Sequence, residues 1–572
     1  MKFLWSYFKK YRLESILAPL FKCLEACFDL AVPVIVAKII DTGIATANKP
    51  YIISRFLLLL AMAVLGLVSS CVAQYFAAKA AIGTAAGLRQ DLLCKIQTLS
   101  CGEVDAVGTS TLITRMTSDV NQVQNGLNMF LRLFMRSPFI VFGAMIMAFT
   151  INARLALIFV IAIAVLFFIV FGVMWLSNPL YKKVQQQLDG VTEATREDLN
   201  GVRVIRAFSR EGEQKKRFAA QNERLLHAQL FVGRVAAIMN PLTYLIVNAV
   251  IIAVLWLGAG KIQNGVLLSG SIIALINYIL QILVDLVKLA NLITQLGRSI
   301  ASMNRVGQVL SLQSGMQFGG GSQPQAGAPA VQFNNVSFCY NGSAEPALQN
   351  ISFTAQKGQT IGVIGGTGSG KTTLANLILR FYDATGGTVL VNGVPVQSLS
   401  KQQLEQAVSA VLQRPRLFSG TVKSNLQLAA PQATEQQMLW ALRLARAEDF
   451  VLKKGGLDAA VEQDGANFSG GQRQRLTIAR TLLSGAKIII LDDSLSALDF
   501  ATDAAVRRAL KTLPKDVTVF FISQRVGSIA GADRILVLDD GALVGSGTHS
   551  ALLQSCGVYR EIFESQTKGA EA

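Results

Sequence analysis

Charge is scarce in this chain. Asp, Glu, Lys and Arg make up 16% of its 572 residues against 51% apolar, and mean hydropathy is +0.43. That balance excludes a protein that is soluble throughout and points to a membrane protein. The apolar residues gather before about residue 300, whereas beyond about residue 330 the composition is that of a soluble α/β domain. Metal-spaced cysteines are lacking too. The seven cysteines are scattered, and Cys23 and Cys27, one helical turn apart, have no histidine nearby, so they read as buried, inert thiols. No cleavable leader is visible, because the first apolar stretch has no small-residue cleavage site; an uncleaved first span with a cytoplasmic N-terminus is expected. Acidic residues are outnumbered, 36 to 53, for a net charge of +17. The excess does not suggest nucleic acid, because it lies between apolar spans: Lys9, Lys10 and Arg12, Arg89 and Lys95, Lys182 and Lys183, and Arg203 through Lys216. Such loops mark the cytoplasmic side of a membrane protein, so the expected surroundings are a lipid bilayer.

Charge-free apolar runs long enough to cross a bilayer occur at 56–78, 155–176, 235–260 and 266–284. A shorter run, 137–151, becomes long enough if its helix starts near Leu127, and a sixth candidate at about 15–40 is interrupted by Lys22, Glu25 and Asp29. The expected organisation is therefore a membrane domain over 1–312, with six spans at about 15–40, 56–78, 127–151, 155–176, 235–260 and 266–296. A linker over 313–330 follows, containing Gly319-Gly320-Gly321 and Pro324, and then a soluble α/β domain over 331–572. Both chain ends fall on the cytoplasmic side. The polar stretches 87–125 and 178–233 are too long for simple loops, so the membrane helices are expected to continue into the cytoplasm and turn there. Each turn would carry a short helix able to touch another domain, near Val107–Asp119 and Glu197–Arg206. Lys22, Glu25 and Asp29 share one helix face. They read either as a polar lining for a substrate cavity, attractive to cations, or as a structural charge cluster. Asp285 and Lys288 read as interfacial.

The soluble half carries the chemistry. Gly365-Gly366-Thr367-Gly368-Ser369-Gly370-Lys371-Thr372-Thr373 follows a short apolar strand, Thr360–Ile364, and opens a helix predicted over Thr372–Arg380. That context makes it a phosphate loop: glycines let the backbone wrap a phosphate, and amides at the helix start supply a positive field. Lys371 would contact the β- and γ-phosphates of ATP, and Thr372 would hold Mg²⁺. The strand Ile488–Leu491 ends in Asp492-Asp493, which places the Asp492 carboxylate beside the metal. Tyr340, read within the strand Val336–Tyr340, could stack on adenine. Gln413, read as ending a strand at Val411-Leu412-Gln413, could reach Mg²⁺ or water.

Together these residues resemble the ATP-binding cassette family. The decisive segment is Asn467-Phe468-Ser469-Gly470-Gly471-Gln472-Arg473-Gln474-Arg475, which is similar to that family's signature motif and lies about a hundred residues after the phosphate loop. Six spans with long cytoplasmic extensions, a linker and one cassette resemble an exporter-type half-transporter. The implied fold is a membrane α-helical domain followed by an α/β P-loop cassette. The resemblance makes Tyr340 the adenine-stacking residue, Gln413 the glutamine that senses the membrane half, Asp499 the aspartate at the dimer seam and Gln524 the occupant of the switch-histidine position. It also implies a second half-transporter subunit, since cassettes of this family pair head to tail, with each ATP between one chain's phosphate loop and the other's Ser469–Gln472 equivalent.

Two positions depart from the family's pattern. A glutamate normally follows the metal-binding aspartate, positions the attacking water and takes its proton. Asp493 keeps the carboxylate but withdraws it by one methylene, and a displacement of about 1 Å can cost roughly a hundredfold in rate. Gln524 can donate a hydrogen bond but cannot carry a histidine's charge. With the signature intact, this combination resembles the degenerate-site subunit of heterodimeric bacterial multidrug exporters. It implies that this chain retains ATP and lends Ser469–Gln472 to a partner's catalytic site, while a slow homodimer is the alternative. The expected cargo is a small hydrophobic or amphipathic compound, with lipid or peptide export the nearest other reading. Fusion of permease and cassette disfavours an importer, and the apolar half excludes a soluble ATPase of the chromosome or translation type.

Overall fold

A computed structural model describes residues 7, 9–325, 327–343 and 345–568. Residues 1–6, 8, 344 and 569–572 of the expected domains, and residue 326 of the expected linker, lie outside the described residues. The chain forms two compact units, one of residues up to Ile96 plus Ser110–Ser311, the other of Gln97–Thr109 plus the chain from Leu312 onward.

The first unit is helical. In chain order the helices are α1 (Arg12–Lys38), α2 (Lys49–Thr98), α3 (Cys101–Val107), α4 (Thr109–Ile151), α5 (Ala153–Asn200), α6 (Val202–Ala207), α7 (Glu211–Gln263) and α8 (Ser269–Ser311), with α3 belonging to the second unit. Five of them, α2, α4, α5, α7 and α8, are long and apolar enough to cross a membrane. At ~1.5 Å per residue, the 50 residues of α2 reach ~75 Å, more than twice the ~30 Å of bilayer hydrocarbon. The helices thus run on beyond the apolar layer, as the long polar stretches required. Asn152 ends one span and starts the next: its side chain accepts from the Leu155 N–H at 3.2 Å, an N-cap that turns α4 into α5. The outward faces stay apolar, with Phe168, Trp175 and Trp256 well exposed, as suits lipid contact. Inside, Tyr278 of α8 is fully buried and donates its hydroxyl to the Leu30 carbonyl of α1 at 2.6 Å. Gly143 lets α4 close on α1, because a Cβ there would meet Leu30 at 2.4 Å.

Three sequence expectations change here. The short helix of the first cytoplasmic turn is α3 at Cys101–Val107, not Val107–Asp119, because Gly108 at φ +83° breaks the chain first. The second is Val202–Ala207, set off by Gly201. The cysteines are not uniformly buried: Cys27, Cys71 and Cys94 are exposed on helix faces, and of the seven only Cys556 is buried.

The second unit holds an antiparallel sheet of β1 (Val331–Phe338), β2 (Leu348–Ala355), β4 (Gly386–Val391) and β5 (Val394–Pro395) in the order β2-β1-β4-β5. β7 (Gly420–Thr421) and β8 (Ala460–Val461) form a separate antiparallel pair, and β3 (Thr360–Gly365), β6 (Val408–Val411), β9 (Ile488–Asp492), β10 (Thr518–Ile522), β11 (Arg534–Asp539) and β12 (Ala542–Gly547) make a six-stranded sheet in the order β12-β11-β3-β10-β9-β6. β6, β9, β10, β3 and β11 are parallel neighbours, and β12 is an antiparallel edge. β9 and β10 are buried at every position, which explains why they read as unbroken apolar runs rather than alternating ones. Ligand sites in such sheets lie at the carboxyl ends of the strands, and here those ends carry Gly365, Asp492 and Ser523.

Candidate nucleotide site

The phosphate loop joins β3 to the helix Lys371–Ile378, which starts one residue earlier and ends two earlier than the sequence suggested. Glycine is required at Gly365, where a Cβ would lie 2.1 Å from the Leu538 carbonyl oxygen. It is required again at Gly370, where φ is +92° and a Cβ would meet the Ala347 carbonyl at 2.6 Å. Lys371 Nζ arches back over the loop, donating to the Gly365 carbonyl at 3.0 Å, the Gly366 carbonyl at 2.5 Å and Ser369 Oγ at 3.2 Å. Burial lowers its pKa, opposed by the charges of Asp492 and Asp493.

The carboxylates come from the neighbouring strand. Asp492 is buried at the end of β9 and accepts a hydrogen bond from Thr372; burial raises its pKa despite that bond. The Thr372 hydroxyl and Asp492 carboxylate are hard oxygen donors of the kind Mg²⁺ takes, and a buried carboxylate held above its ordinary range suits a cation. Asp493 stands at φ +44°, a left-handed position that aspartate tolerates, while its N–H extends the β9–β10 pairing to the Ile522 carbonyl at 2.8 Å. Burial raises its pKa, opposed by a hydrogen bond from Gln413 and by the Arg525 charge. Gln413 therefore reaches the position next to the metal-side acid, although it lies beyond β6 rather than ending it. Tyr340 likewise lies past the end of β1, not within it. Its hydroxyl is 3.1 Å from Thr373 Oγ1, and its ring stands edge-on to Phe338 and Tyr382. The carboxylate of Asp105 on α3 accepts from the Tyr382 hydroxyl, and the Gly315 N–H donates to Glu103 at 2.9 Å.

The signature lies in a second cluster. Ser469 caps the helix Gly470–Leu483: its hydroxyl accepts from the Gln472 N–H at 3.3 Å, and Gln472 Oε1 accepts from the Ser469 N–H at 3.1 Å. Lys454 holds the preceding loop, donating to the Asn467 carbonyl at 2.5 Å with its ammonium 4.4 Å from the Phe468 ring centre. Gly471 approaches the Ala497 carbonyl, which brings the signature beside the Asp499 turn. Asp499 caps the helix Phe500–Leu510, and that hydrogen bond from Thr502 lowers its pKa. Gln524 is exposed, in the loop after β10. Among the described residues, no hydrogen bond or ion pair links Ser469–Gln472 to Lys371 or Thr372. The structure thus gathers Lys371, Thr372, Asp492, Asp493 and Gln413 at one place, and Ser469–Gln472 with Asp499 at another.

The membrane half holds a charged centre that the sequence reading only half recognised. Arg136 of α4 donates to Asp29 of α1 at 2.9 Å and to Asp285 of α8 at 3.0 Å, and lies 3.8 Å from Glu25. Lys22 pairs with Glu25 at 2.5 Å, and Lys288 with Asp285 at 3.4 Å. Asp285 is therefore buried in the same network as Glu25 and Asp29. Arg136 abuts an apolar run, so only its place as a lone cation at the edge of a span signals the network in the sequence.

The ABC transporter transmembrane region family matches residues 15–286, and the ABC transporter family matches 348–496. The chain is similar to an ABC transporter ATP-binding protein of Mycobacterium tuberculosis, with 35% identity over 99% of this chain and 98% of that one. It is also similar to the ATP-dependent lipid A-core flippase of Haemophilus influenzae, with 29% identity over 99% and 97%. A solved bacterial Atm1-family ABC exporter with ATP bound superposes with a TM-score of 0.78 over 98% of each chain at 22% identity, which shows a shared fold.

Proposed function

Because the chain belongs to the ATP-binding cassette transporter family, as an exporter-type half-transporter, we propose that it serves as one subunit of a heterodimer that moves hydrophobic or amphipathic compounds out of the cytoplasm or inner leaflet. It is a multi-pass membrane protein with a cytoplasmic cassette that binds ATP, in a family that hydrolyses ATP to drive transport. We infer that α1 is a sixth span, its charges matched within the Arg136 network, so that 1–312 is the membrane domain, 313–330 the linker and 331–572 the cassette.

At this chain's own pocket, Lys371 and the loop amides neutralise the β- and γ-phosphates, and Tyr340 stacks on adenine. Thr372 and Asp492 would hold Mg²⁺, with Gln413 beside them, and the ion would supply charge neutralisation on the phosphate oxygens. Asp493 occupies the base position one methylene short, and Gln524 contributes a neutral hydrogen bond where a charged donor would serve better. The pocket therefore retains ATP rather than splitting it. Ser469 and the amides of Gly470 and Gly471 complete the γ-phosphate shell at the partner's phosphate loop, with Gln472 holding the cap. The observation that carries this reading is the pairing of Asp493 and Gln524 with an intact, capped signature.

Nucleotide trapping on the assembled transporter, followed by mass analysis, tests it: intact ATP should be recovered from this chain's pocket and ADP from the other. Recovery of ADP at both would leave two competent sites and end the proposal. A second reading is export of a lipid, which the similarity to lipid A-core flippases favours. Stimulation of ATP turnover by lipid but not by amphipathic drugs would select it.

A further inference from the structure

The helix Gly557–Lys568 presents Tyr559, Ile562, Phe563 and Gln566 at spacings i, i+3, i+4 and i+7, a single stripe. The first three dock it. Tyr559 is fully buried, with its hydroxyl 2.7 Å from His549 Nδ1, and Ile562 and Phe563 pack on the core that contains Val526 and Ile529. An apolar fourth member would simply lengthen this seam. Glutamine stands there instead, and its amide takes the two main-chain groups that flank Arg525. Nε2 donates to the Gln524 carbonyl at 2.7 Å, and Oε1 accepts from the Val526 N–H at 2.9 Å. A planar amide can donate and accept side by side, so Gln566 acts on this loop as one rung of a neighbouring strand would.

The other side of the loop is held as well. Arg525 donates to the Ser496 carbonyl at 3.4 Å and lies 5.5 Å over the Phe500 ring, both just beyond Asp493 and Asp499. The Arg525 N–H donates to Ser523 Oγ at 3.0 Å. Gln524 is thus carried on a loop gripped between the segment after β9 and the terminal helix, with its side chain exposed.

We propose that Gln566 is a positioning residue: by fixing the main chain at Gln524 and Val526 it aims the Gln524 side chain and sets how long nucleotide stays at this chain's phosphate loop. The proposal rests on reading Gln524 as the residue that faces the γ-phosphate. Two hydrogen bonds of ordinary net strength correspond to a change of roughly 5- to 30-fold.

The test uses the full-length chain with its partner subunit in lipid nanodiscs, loaded with radiolabelled ATP and Mg²⁺ and chased with unlabelled ATP. Gln566→Leu extends the apolar stripe and so keeps the helix docked while losing both bonds. Gln566→Glu keeps acceptance from Val526 but sets a carboxylate against the Gln524 carbonyl. Both should release label roughly 5- to 30-fold faster, with no matching fall in thermal midpoint for Gln566→Leu. Gln524→Ala with Gln566→Leu should be no faster than Gln524→Ala alone. Release at the wild-type rate from both Gln566 variants overturns the proposal, as does an additive double variant or acceleration matched by a lowered midpoint. Unchanged release from Gln524→Ala overturns the reading of Gln524 and the proposal with it, whereas faster release from Gln524→Ala beside wild-type release from both Gln566 variants overturns the proposal alone.

Discussion

Asp492 and Asp493 sit side by side, and burial raises the pKa of both. The folded pocket therefore binds protons more tightly than the unfolded chain, where a carboxyl titrates at about 3.9. Its favourable contribution to stability is full below that value and is lost as pH rises through the elevated folded values. Asp492→Asn should thus raise the thermal midpoint of the nucleotide-free protein at neutral pH, by roughly 2–4 °C for each ~1 kcal/mol of burial cost relieved, while weakening Mg²⁺-dependent retention of ATP at this pocket. Calorimetry at two pH values checks the first part: a midpoint that Asn does not move at neutral pH denies the burial cost. Asp493→Glu should raise hydrolysis at this site, strongly only when joined to Gln524→His, because the base and the charged γ-phosphate donor act on one transition state. Single-site turnover by isotope exchange measures it, and equal gains from the single and double variants would contradict the coupling. These residues were legible in the sequence because nucleotide chemistry imposes short-range spacing. Gln566 was not, since its role depends on a contact between positions 42 apart that no local pattern encodes.

Among elements, α1, α4 and α8 meet at Arg136, where three cations, Lys22, Arg136 and Lys288, face three carboxylates, Glu25, Asp29 and Asp285. Asp29 and Lys288 are half-exposed, but Lys22, Glu25, Arg136 and Asp285 are largely shielded, and such a balanced network is costly to break from one side. Arg136→Ala leaves Asp285 buried without its strongest partner and should cost about 3–5 kcal/mol, read as a lowered midpoint and poor recovery from membranes. Arg136→Lys should recover part of that. A midpoint unmoved by Arg136→Ala would mean that the carboxylates are satisfied elsewhere. The sequence showed the shared face of Lys22, Glu25 and Asp29 but not its partner, because Arg136 and Asp285 are brought to it only by packing of distant helices. The long cytoplasmic extensions of α2 and α5 were legible from the length of their polar stretches, whereas the short turning helices were misplaced by several residues. There a single glycine, Gly108, decides the break.

For the whole molecule, the separation of Ser469–Gln472 from the phosphate loop makes one chain an incomplete machine. Ser469→Arg should nearly abolish ATP turnover of the assembled transporter yet leave ATP trapped at this chain's own loop. Loss of both together would place the two clusters in one site. The chain purified alone should turn over ATP far more slowly than the complex, which a coupled phosphate-release assay decides. The division into units also bears on biosynthesis. Gln97–Thr109 belongs with the cassette, and Asp105 finds Tyr382 across 277 residues. At about 5–20 residues per second, the tyrosine leaves the ribosome roughly 14–55 s after the aspartate. The membrane helices are thus inserted while this loop still waits for its receptor, and a damaged cassette is sensed only after the costly hydrophobic half is already in the bilayer.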